Sequence, residues 1–373
     1  MMNKKEEINT ISYIQLLNES IEIYEILFAL IKLDKEIIGL LSIPMIPFLA
    51  FVVDGIIQFF PENFDFSEND LNLDSGSFKK LIGKIRVGHK LLSDKRNSQK
   101  RNIVRRKQNK NYKNLTSDYN DIQNLVIKLF GQEDFGVFRY KNIDFATNIQ
   151  GYLYLDTLSN NDTYTDKKGE MLTQLLSSLS SLLSSFVIGS QSSLNYEINT
   201  NLSIDANIKD FELSDYFLFD VRRKSIFNDK TNAEVQVLLH SHLCQLNFLW
   251  KVLPNVFGKQ FQCLLRFRLI TFLESIKVLN DFINHEPQLS IYKDTLLQVI
   301  DGKAYNLLSR SRIRNNVAHY QLIGYNPEIF TNKNSLVSII EFELKETFRA
   351  FYDDFENEYS KVTDLFYEIL FKE

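Results

Sequence analysis

The sequence predicts a mainly α-helical protein with a small α+β region in the middle of the chain. In both terminal parts, apolar residues recur at steps of three and four, which is the period of one helix face. Only 13 glycines and 6 prolines interrupt the 373 residues, which favours long helices with few tight turns. Apolar and polar residues alternate in the central part, where strands are expected.

Residues 1–119 are predicted to form a helical N-terminal region with an apolar hairpin and a basic segment. Residues 8–35 have the pattern of an amphipathic helix, and residues 37–53 follow with no charged side chain. Pro44 and Pro47 are expected to break this apolar segment as a regular helix, which favours a buried helix pair or hairpin. The alternative is a membrane anchor, because the segment is almost long enough to span a bilayer.

The sign of the charge changes abruptly after this apolar segment. Residues 54–74 carry acids and no Lys or Arg, whereas residues 79–113 carry fourteen Lys and Arg against one acid. The net charge of −4 gives no global attraction to nucleic acid, so RNA binding has to come from such a local cluster. We expect RNA-binding side chains at Arg101, Arg105, Arg106 and Lys107. The alternative is a solvated linker that neutralises the acidic stretch.

Residues 120–230 are predicted to form a small α+β region of a size to sense a ligand or partner. The expected order is a helix at 122–129, strands at 136–145 and 151–158, a Leu- and Ser-rich helix at 172–186, and a half-buried strand at 194–205. No recognisable motif lies in this region.

Residues 231–373 are predicted to form a helical bundle. Asn232 is the expected N-cap of a helix that runs to Pro254, and a second helix follows Gly258, from 260 to 284. The pair Asp301-Gly302 is expected to break the chain, and one long helix is expected over 335–370.

A polar, basic segment, Arg310–Tyr320 with the sequence RSRIRNNVAHY, lies between apolar helices of this bundle. Arg and Asn are seldom buried without partners, so this composition indicates a site rather than a core. Arg binds a phosphodiester as a planar fork, and His exchanges a proton near neutral pH. The candidate catalytic residues are Arg314, Asn315 and His319, and the supporting candidates are Arg312, Asn316, Tyr320 and Glu274.

The segment Arg314-Asn315-Asn316-Val317-Ala318-His319 resembles the R-(polar)-x-x-x-H signature of the HEPN superfamily. The resemblance covers the last third of the chain and implies a HEPN-like helical bundle. It also implies a metal-independent endoribonuclease without cofactor, of the kind found in bacterial abortive-infection and toxin systems. The expected products end in a 2′,3′-cyclic phosphate and a 5′-hydroxyl. The implied partners are the RNA substrate, a second copy of the chain that completes a composite cleft, and an antitoxin or phage-derived trigger.

Helix geometry raises a difficulty for this interpretation. On a straight helix, Arg314 lies about 140° around the axis from His319, whereas Asn315 shares the face of His319 and Arg312 lies close to it. Either the long side chain of Arg314 reaches round the helix, or the helix kinks.

Two alternatives to a nuclease stay open at this stage. The motif is also compatible with a solvent-facing helix end whose arginines pair with the acidic last helix. The chain is also compatible with a non-catalytic RNA- or protein-binding scaffold, associated with a membrane through residues 37–53. The sequence HSHLC at 240–244 is interpreted as core and surface filler rather than a metal site, because His240 and His242 face different ways on a helix. Two cysteines without disulfide spacing, and no apolar signal-peptide core, predict a cytoplasmic protein.

Overall fold

The computed structural model describes residues 3–33, 35–61, 69–86, 135–150, 166–194, 197–199, 201–217, 226–258 and 261–371. The fold is mainly α-helical with a small antiparallel sheet in the middle of the chain, as the sequence predicts. The predicted helix at 122–129, the predicted strand at 151–158 and the four basic residues between 101 and 107 lie outside the described residues.

Among the described residues, three helices of the N-terminal region precede the sheet: α1 (Lys4–Leu30), α2 (Lys35–Phe59) and α3 (Ser75–Arg86). Helix α1 begins with a capping box, in which Asn3 and Glu6 bond each other's backbone N–H groups. Helix α2 is continuous through Pro44 and Pro47, so the predicted break and hairpin are wrong. Each proline removes one helical hydrogen bond, but its φ is compatible with a helix, and burial of this apolar helix offsets the loss.

The sheet has the order β2-β1-β3, with strands β1 (Phe135–Tyr140), β2 (Ile143–Thr147) and β3 (Phe211–Tyr216), all antiparallel. The predicted segment 136–145 is therefore a hairpin rather than one strand. Helix α4 (Asp166–Leu194) confirms the predicted Leu- and Ser-rich helix. The predicted strand at 194–205 is wrong: residues 201–207 have no regular structure, and Asn199 accepts a hydrogen bond from the N–H of Asn201. Such local asparagine bonds compete with strand pairing.

The C-terminal bundle contains helices of very different lengths. They are α5 (Ala233–Asn247), a π-helical turn (Phe248–Val252), α6 (Leu253–Phe257), α7 (Gln262–His285), α8 (Lys293–Ile300), α9 (Lys303–Ser309), α10 (Ser311–Ala318), α11 (Ser335–Leu344) and α12 (Phe348–Leu370). The side chain of Asn232 accepts the N–H of Val235 and caps α5, as predicted. Gly258 ends α6 in the left-handed conformation, with φ of 56°.

The single helix predicted over 335–370 is wrong, because the chain breaks between α11 and α12. Lys345 adopts a left-handed conformation with φ of 57°, and Thr347 then accepts the N–H of Ala350 and caps α12. The apolar period continues across this break, so periodicity alone could not reveal it.

Two apolar cores meet along α7. The first joins α1–α4 to residues 248–267, and the second joins α5 and α7–α12 to Phe135 and Val137 of β1. Trp250 and Ile270 pack against both cores. The N-terminal helices therefore pack directly on the bundle that contains the Arg310–Tyr320 segment.

Candidate functional site

A cavity of about 110 Å³ opens where α2, α3, α5, α7 and α10 meet. The predicted residues Arg314, Asn315 and His319 line it together with Glu274. One wall is apolar and comes from α2 and α7, with Pro47, Phe48, Phe51, Phe267 and Ile270. The apolar segment that follows α1 thus forms part of this cavity.

Helix α10 ends at Ala318, which brings Arg314 and His319 to the same cavity. His319 is extended, with φ of −140° and ψ of 153°, so it lies beyond the last helical turn. Its side chain is therefore free of the 140° offset that a straight helix would impose on it relative to Arg314. Arg314 and His319 therefore reach the same cavity because the helix ends before His319, rather than because the helix kinks.

Arg266 of α7 explains why the helix ends at this point. Its Nη1 lies 3.0, 2.8 and 3.3 Å from the backbone oxygens of Asn316, Val317 and His319. The last carbonyls of a helix have no partner within the helix, so a buried guanidinium satisfies them. Nε of Arg266 bonds both carboxylate oxygens of Glu19 in α1, at 3.0 and 2.9 Å. This buried ion pair fixes the position of the segment that carries His319.

The three alternating arginines have different surroundings. Arg310 and Arg312 lie 3.3 and 3.6 Å from the carboxylate of Glu343 in α11, and Arg312 also stacks on the ring of Tyr325 at 3.7 Å. Arg312 therefore faces away from the cavity, contrary to the expected shared face with His319. Arg314 forms no ion pair within the described ranges, and it lines the cavity. Two of the three arginines thus pair with Glu343, which lies in the first of the two helices that replace the predicted acidic last helix.

The other supporting candidates stabilise the chain around α10. Asn316 is buried, donates to the carbonyls of Arg312 and Ile323, and accepts the N–H of Ile323. Tyr320 is also buried and donates its hydroxyl to Glu19 over 2.7 Å. A Cβ on Gly55 of α2 would lie 2.4 Å from the Tyr320 ring, so glycine is required for this close approach. Neither Asn316 nor Tyr320 lines the cavity.

Arg86, which the sequence interpretation did not include, contacts His319 directly. Its Nη1 lies 3.3 Å from Nδ1 of His319 and 3.1 Å from the oxygen of Ala318. Its Nε lies 3.0 Å from Asp54 Oδ2, but the angle is too poor for a hydrogen bond, so the contact is a plain ion pair. Burial raises the pKa of Asp54, and the charge of Arg86 opposes this shift.

A sequence signal for Arg86 does exist. Phe78, Ile82 and Arg86 follow one another at four-residue steps, so the arginine continues the buried face of α3. A cation in line with two core residues indicates a partner inside the protein. The abundance of basic residues after position 79 hides this one.

The polar side of the cavity also contains side chains of α5 and α7. Glu274 is mostly buried and pairs with Lys277 over 2.8 Å. His242 is fully buried, lines the cavity, and has its Nδ1 3.3 Å from the hydroxyl of Ser275. Gln245 and Thr271 complete this side. His242 is therefore a core residue that also faces the cavity, because α5 is buried on nearly its whole circumference and even its polar residues face other elements.

His240 and Cys244 lie away from the cavity, in a second buried polar cluster. His240 contacts Asp144 of β2 over 2.8 Å, and the Cys244 sulfur lies 3.7 Å from the imidazole. Burial raises the pKa of Cys244 well above its usual range. Burial also acts to raise the pKa of Asp144, but His240 and Arg139 outweigh it, so the pKa is lowered. These residues are core, as expected, but none is at the surface.

Two features of the described residues bear on metal binding and on membrane association. No three His, Cys, Asp or Glu side chains in that part of the chain are grouped as a metal site would need. Two helices of the described residues, Ile37–Phe59 and Glu170–Gln191, are long and apolar enough to cross a membrane. However, 67% of the most apolar 18-residue stretch of the first helix is buried within the protein. Core helices of soluble proteins pass the same criterion.

The chain matches no family model, no curated protein and no solved structure.

Proposed function

We propose that the chain is a metal-independent endoribonuclease, the effector of a bacterial antiviral (abortive-infection) or toxin system. The observation that carries this proposal is the position of Arg314 and His319 on one cavity. Arg314 lacks an ion pair within the described residues, whereas its neighbour Arg310 has one. A guanidinium without a carboxylate partner, beside an imidazole, is suited to a phosphodiester. The proposal that the substrate is RNA rests on the resemblance of the motif to the HEPN signature.

The proposed reaction uses the 2′-hydroxyl of RNA as the nucleophile. The 2′-oxygen attacks phosphorus while its proton leaves, and the bond between phosphorus and the 5′-oxygen breaks. The 5′-oxygen takes up a proton, which leaves a 2′,3′-cyclic phosphate and a 5′-hydroxyl. His319 exchanges these protons, because it lies at the cavity together with Arg314. Arg314 stabilises the charge on the phosphoryl oxygens in the transition state, and Asn315 donates to a phosphate oxygen or orients His319. DNA lacks the nucleophile and should not be cleaved.

The test is RNA cleavage by the purified protein in EDTA, with two matched pairs of variants. His319→Ala and Arg314→Ala should each lower the rate by about 10²-fold or more, because each removes a group acting in the transition state. His285→Ala and Arg310→Ala are the controls, since both side chains lie outside the cavity and are 59% and 52% exposed. Arg314→Lys should recover little activity, because a point charge does not replace the bidentate fork.

Wild-type cleavage by His319→Ala, with contaminating nuclease excluded, would refute the ribonuclease assignment. RNA binding without His319-dependent cleavage, both in the wild type and in a variant that lacks the Arg86 guanidinium, would favour the scaffold instead.

We further propose a cytoplasmic homodimer that binds RNA partly through Arg101, Arg105, Arg106 and Lys107. Neutralising these four residues should weaken RNA binding and flatten its salt dependence, because each phosphate contact releases a counterion. If the salt dependence of RNA affinity is unchanged, this segment does not contact the RNA phosphates. Sedimentation of the purified chain tests the dimer. Control by an antitoxin or a phage-derived trigger is the expectation for such an effector.

A further inference from the structure

The contact between Arg86 and His319 determines which nitrogen of the imidazole carries the proton. Nη1 of Arg86 lies 3.3 Å from Nδ1 of His319. A guanidinium has donors only and stays charged at any physiological pH, so Nδ1 has to be the acceptor. The neutral ring therefore carries its proton on Nε2.

This tautomer leaves His319 unable to perform acid–base chemistry. The lone pair of Nδ1 faces an Arg86 N–H, and Nε2 has no lone pair because it carries the proton. An imidazolium would place a second N–H and a second positive charge against the guanidinium. While Arg86 is in contact, the ring can neither take the proton of a 2′-hydroxyl nor supply one as an imidazolium.

Two further contacts hold Arg86 in this position. Asp54 of α2 lies 3.0 Å from Nε, and the oxygen of Ala318 lies 3.1 Å from Nη1. The Arg86 and Asp54 side chains are 18% and 16% exposed, so their attraction is less screened than that of a surface pair. The contact thus joins the N-terminal helices to the end of α10.

We propose that Arg86 is a latch that holds the site in a resting state, and that activation requires its withdrawal from Nδ1 of His319. This inference rests on the proposed function and assigns its regulation to the N-terminal helices. Arg86 is a positioning residue, because it acts through His319. Arg314 lines the cavity without an ion pair among the described residues, and it is available to a phosphate once the latch opens.

The test uses Arg86→Met, which keeps an unbranched apolar stem and removes every donor. Arg86→Gln is the second variant, in case the first folds poorly. Asp54→Asn weakens the hold on Arg86 without touching His319. Lys84→Met is the matched control, because it removes one positive charge from an exposed position of the same helix. Cleavage is measured at saturating RNA in EDTA, so that changes in RNA affinity do not enter the rate.

We expect Arg86→Met to raise the cleavage rate by about 10-fold or more. The upper limit of the gain is the ~10²–10⁴-fold that general acid–base catalysis supplies. Asp54→Asn should give a smaller increase, and Lys84→Met none. Adding His319→Ala to Arg86→Met should abolish the gain.

Selective ¹⁵N labelling of the five histidines, with His319→Gln to identify the signal, reports the tautomer directly. The wild type should show His319 protonated on Nε2, and Arg86→Met should show a changed pattern at Nδ1.

Two results would overturn the latch. One is a folded Arg86→Met protein whose measurable, His319-dependent cleavage is no faster than that of the wild type. The other is a wild-type His319 that already carries its proton on Nδ1. Failure of the proposed nuclease looks different: neither the wild type nor Arg86→Met would then show His319-dependent cleavage, while the NMR signals still report the contact.

Discussion

Replacing Arg266 with Met should destabilise the protein more than other single changes near the site. Arg266 and Glu19 are both fully buried and bond each other through Nε. Arg266 also satisfies three backbone oxygens at the end of α10 and stacks on Tyr320, with its guanidinium carbon 4.4 Å from the ring centroid. Methionine keeps the apolar stem but leaves the Glu19 carboxylate and these oxygens without their donor.

The magnitude follows from the stranded charge. Removing one partner of a buried ion pair costs about 3–5 kcal/mol, because the remaining charge is desolvated without compensation. Each abandoned carbonyl costs up to ~1 kcal/mol, but these losses overlap with the first and are not additive. We expect the free energy of unfolding to fall by about 3–5 kcal/mol, a large part of the ~5–15 kcal/mol of an ordinary domain.

The assay is denaturation in urea, followed by far-UV circular dichroism. Adding Glu19→Gln to Arg266→Met should recover ~1 kcal/mol or more, because the amide removes the stranded charge and still accepts the Tyr320 hydroxyl. Arg310→Met breaks only an exposed pair and should cost less than ~1 kcal/mol. A loss below ~1 kcal/mol for Arg266→Met would refute this account of the helix end.

Three further predictions concern other parts of the fold. Glu358→Gln should cost about 1–3 kcal/mol, because the Glu358 carboxylate accepts the N–H groups of Ala304 and Tyr305 at the start of α9 and an amide nitrogen cannot. Burial raises the pKa of Glu358 above its ordinary 4.5, so the folded chain holds that proton more tightly. The stability advantage of wild type over this variant should therefore shrink as the pH rises from 4.5, and an advantage that grows would contradict the shift. Gly302→Ala should destabilise by about 1–3 kcal/mol, since the new Cβ would lie 2.4 Å from Cδ of Glu358; unchanged thermal unfolding would be the contrary result. The protein should stay in the soluble fraction when cells are fractionated, because the Ile37–Phe59 helix is mostly buried within the protein. Retention in membranes after a carbonate wash would show the opposite.

Much of the helical architecture could be predicted from the sequence, because it depends on neighbours a few residues apart. Asn232 caps α5 through its own side chain, and Gly258 supplies the left-handed residue after α6. Both signals are local chemistry. The composition of Arg310–Tyr320 likewise singled out Arg314 and His319, which the structure brings to one cavity.

What only the tertiary structure decided depends on partners distant in the chain. Helix α10 ends before His319 because Arg266, some fifty residues earlier, takes the last carbonyls. Glu343 engages Arg310 and leaves Arg314 to the cavity, although the two arginines look equivalent in the sequence. Burial keeps α2 helical through two prolines that local rules would use to end it. In each case a buried charge, carbonyl or apolar face required a partner. The sequence indicates that such a partner is needed, but only the tertiary structure shows which distant residue provides it.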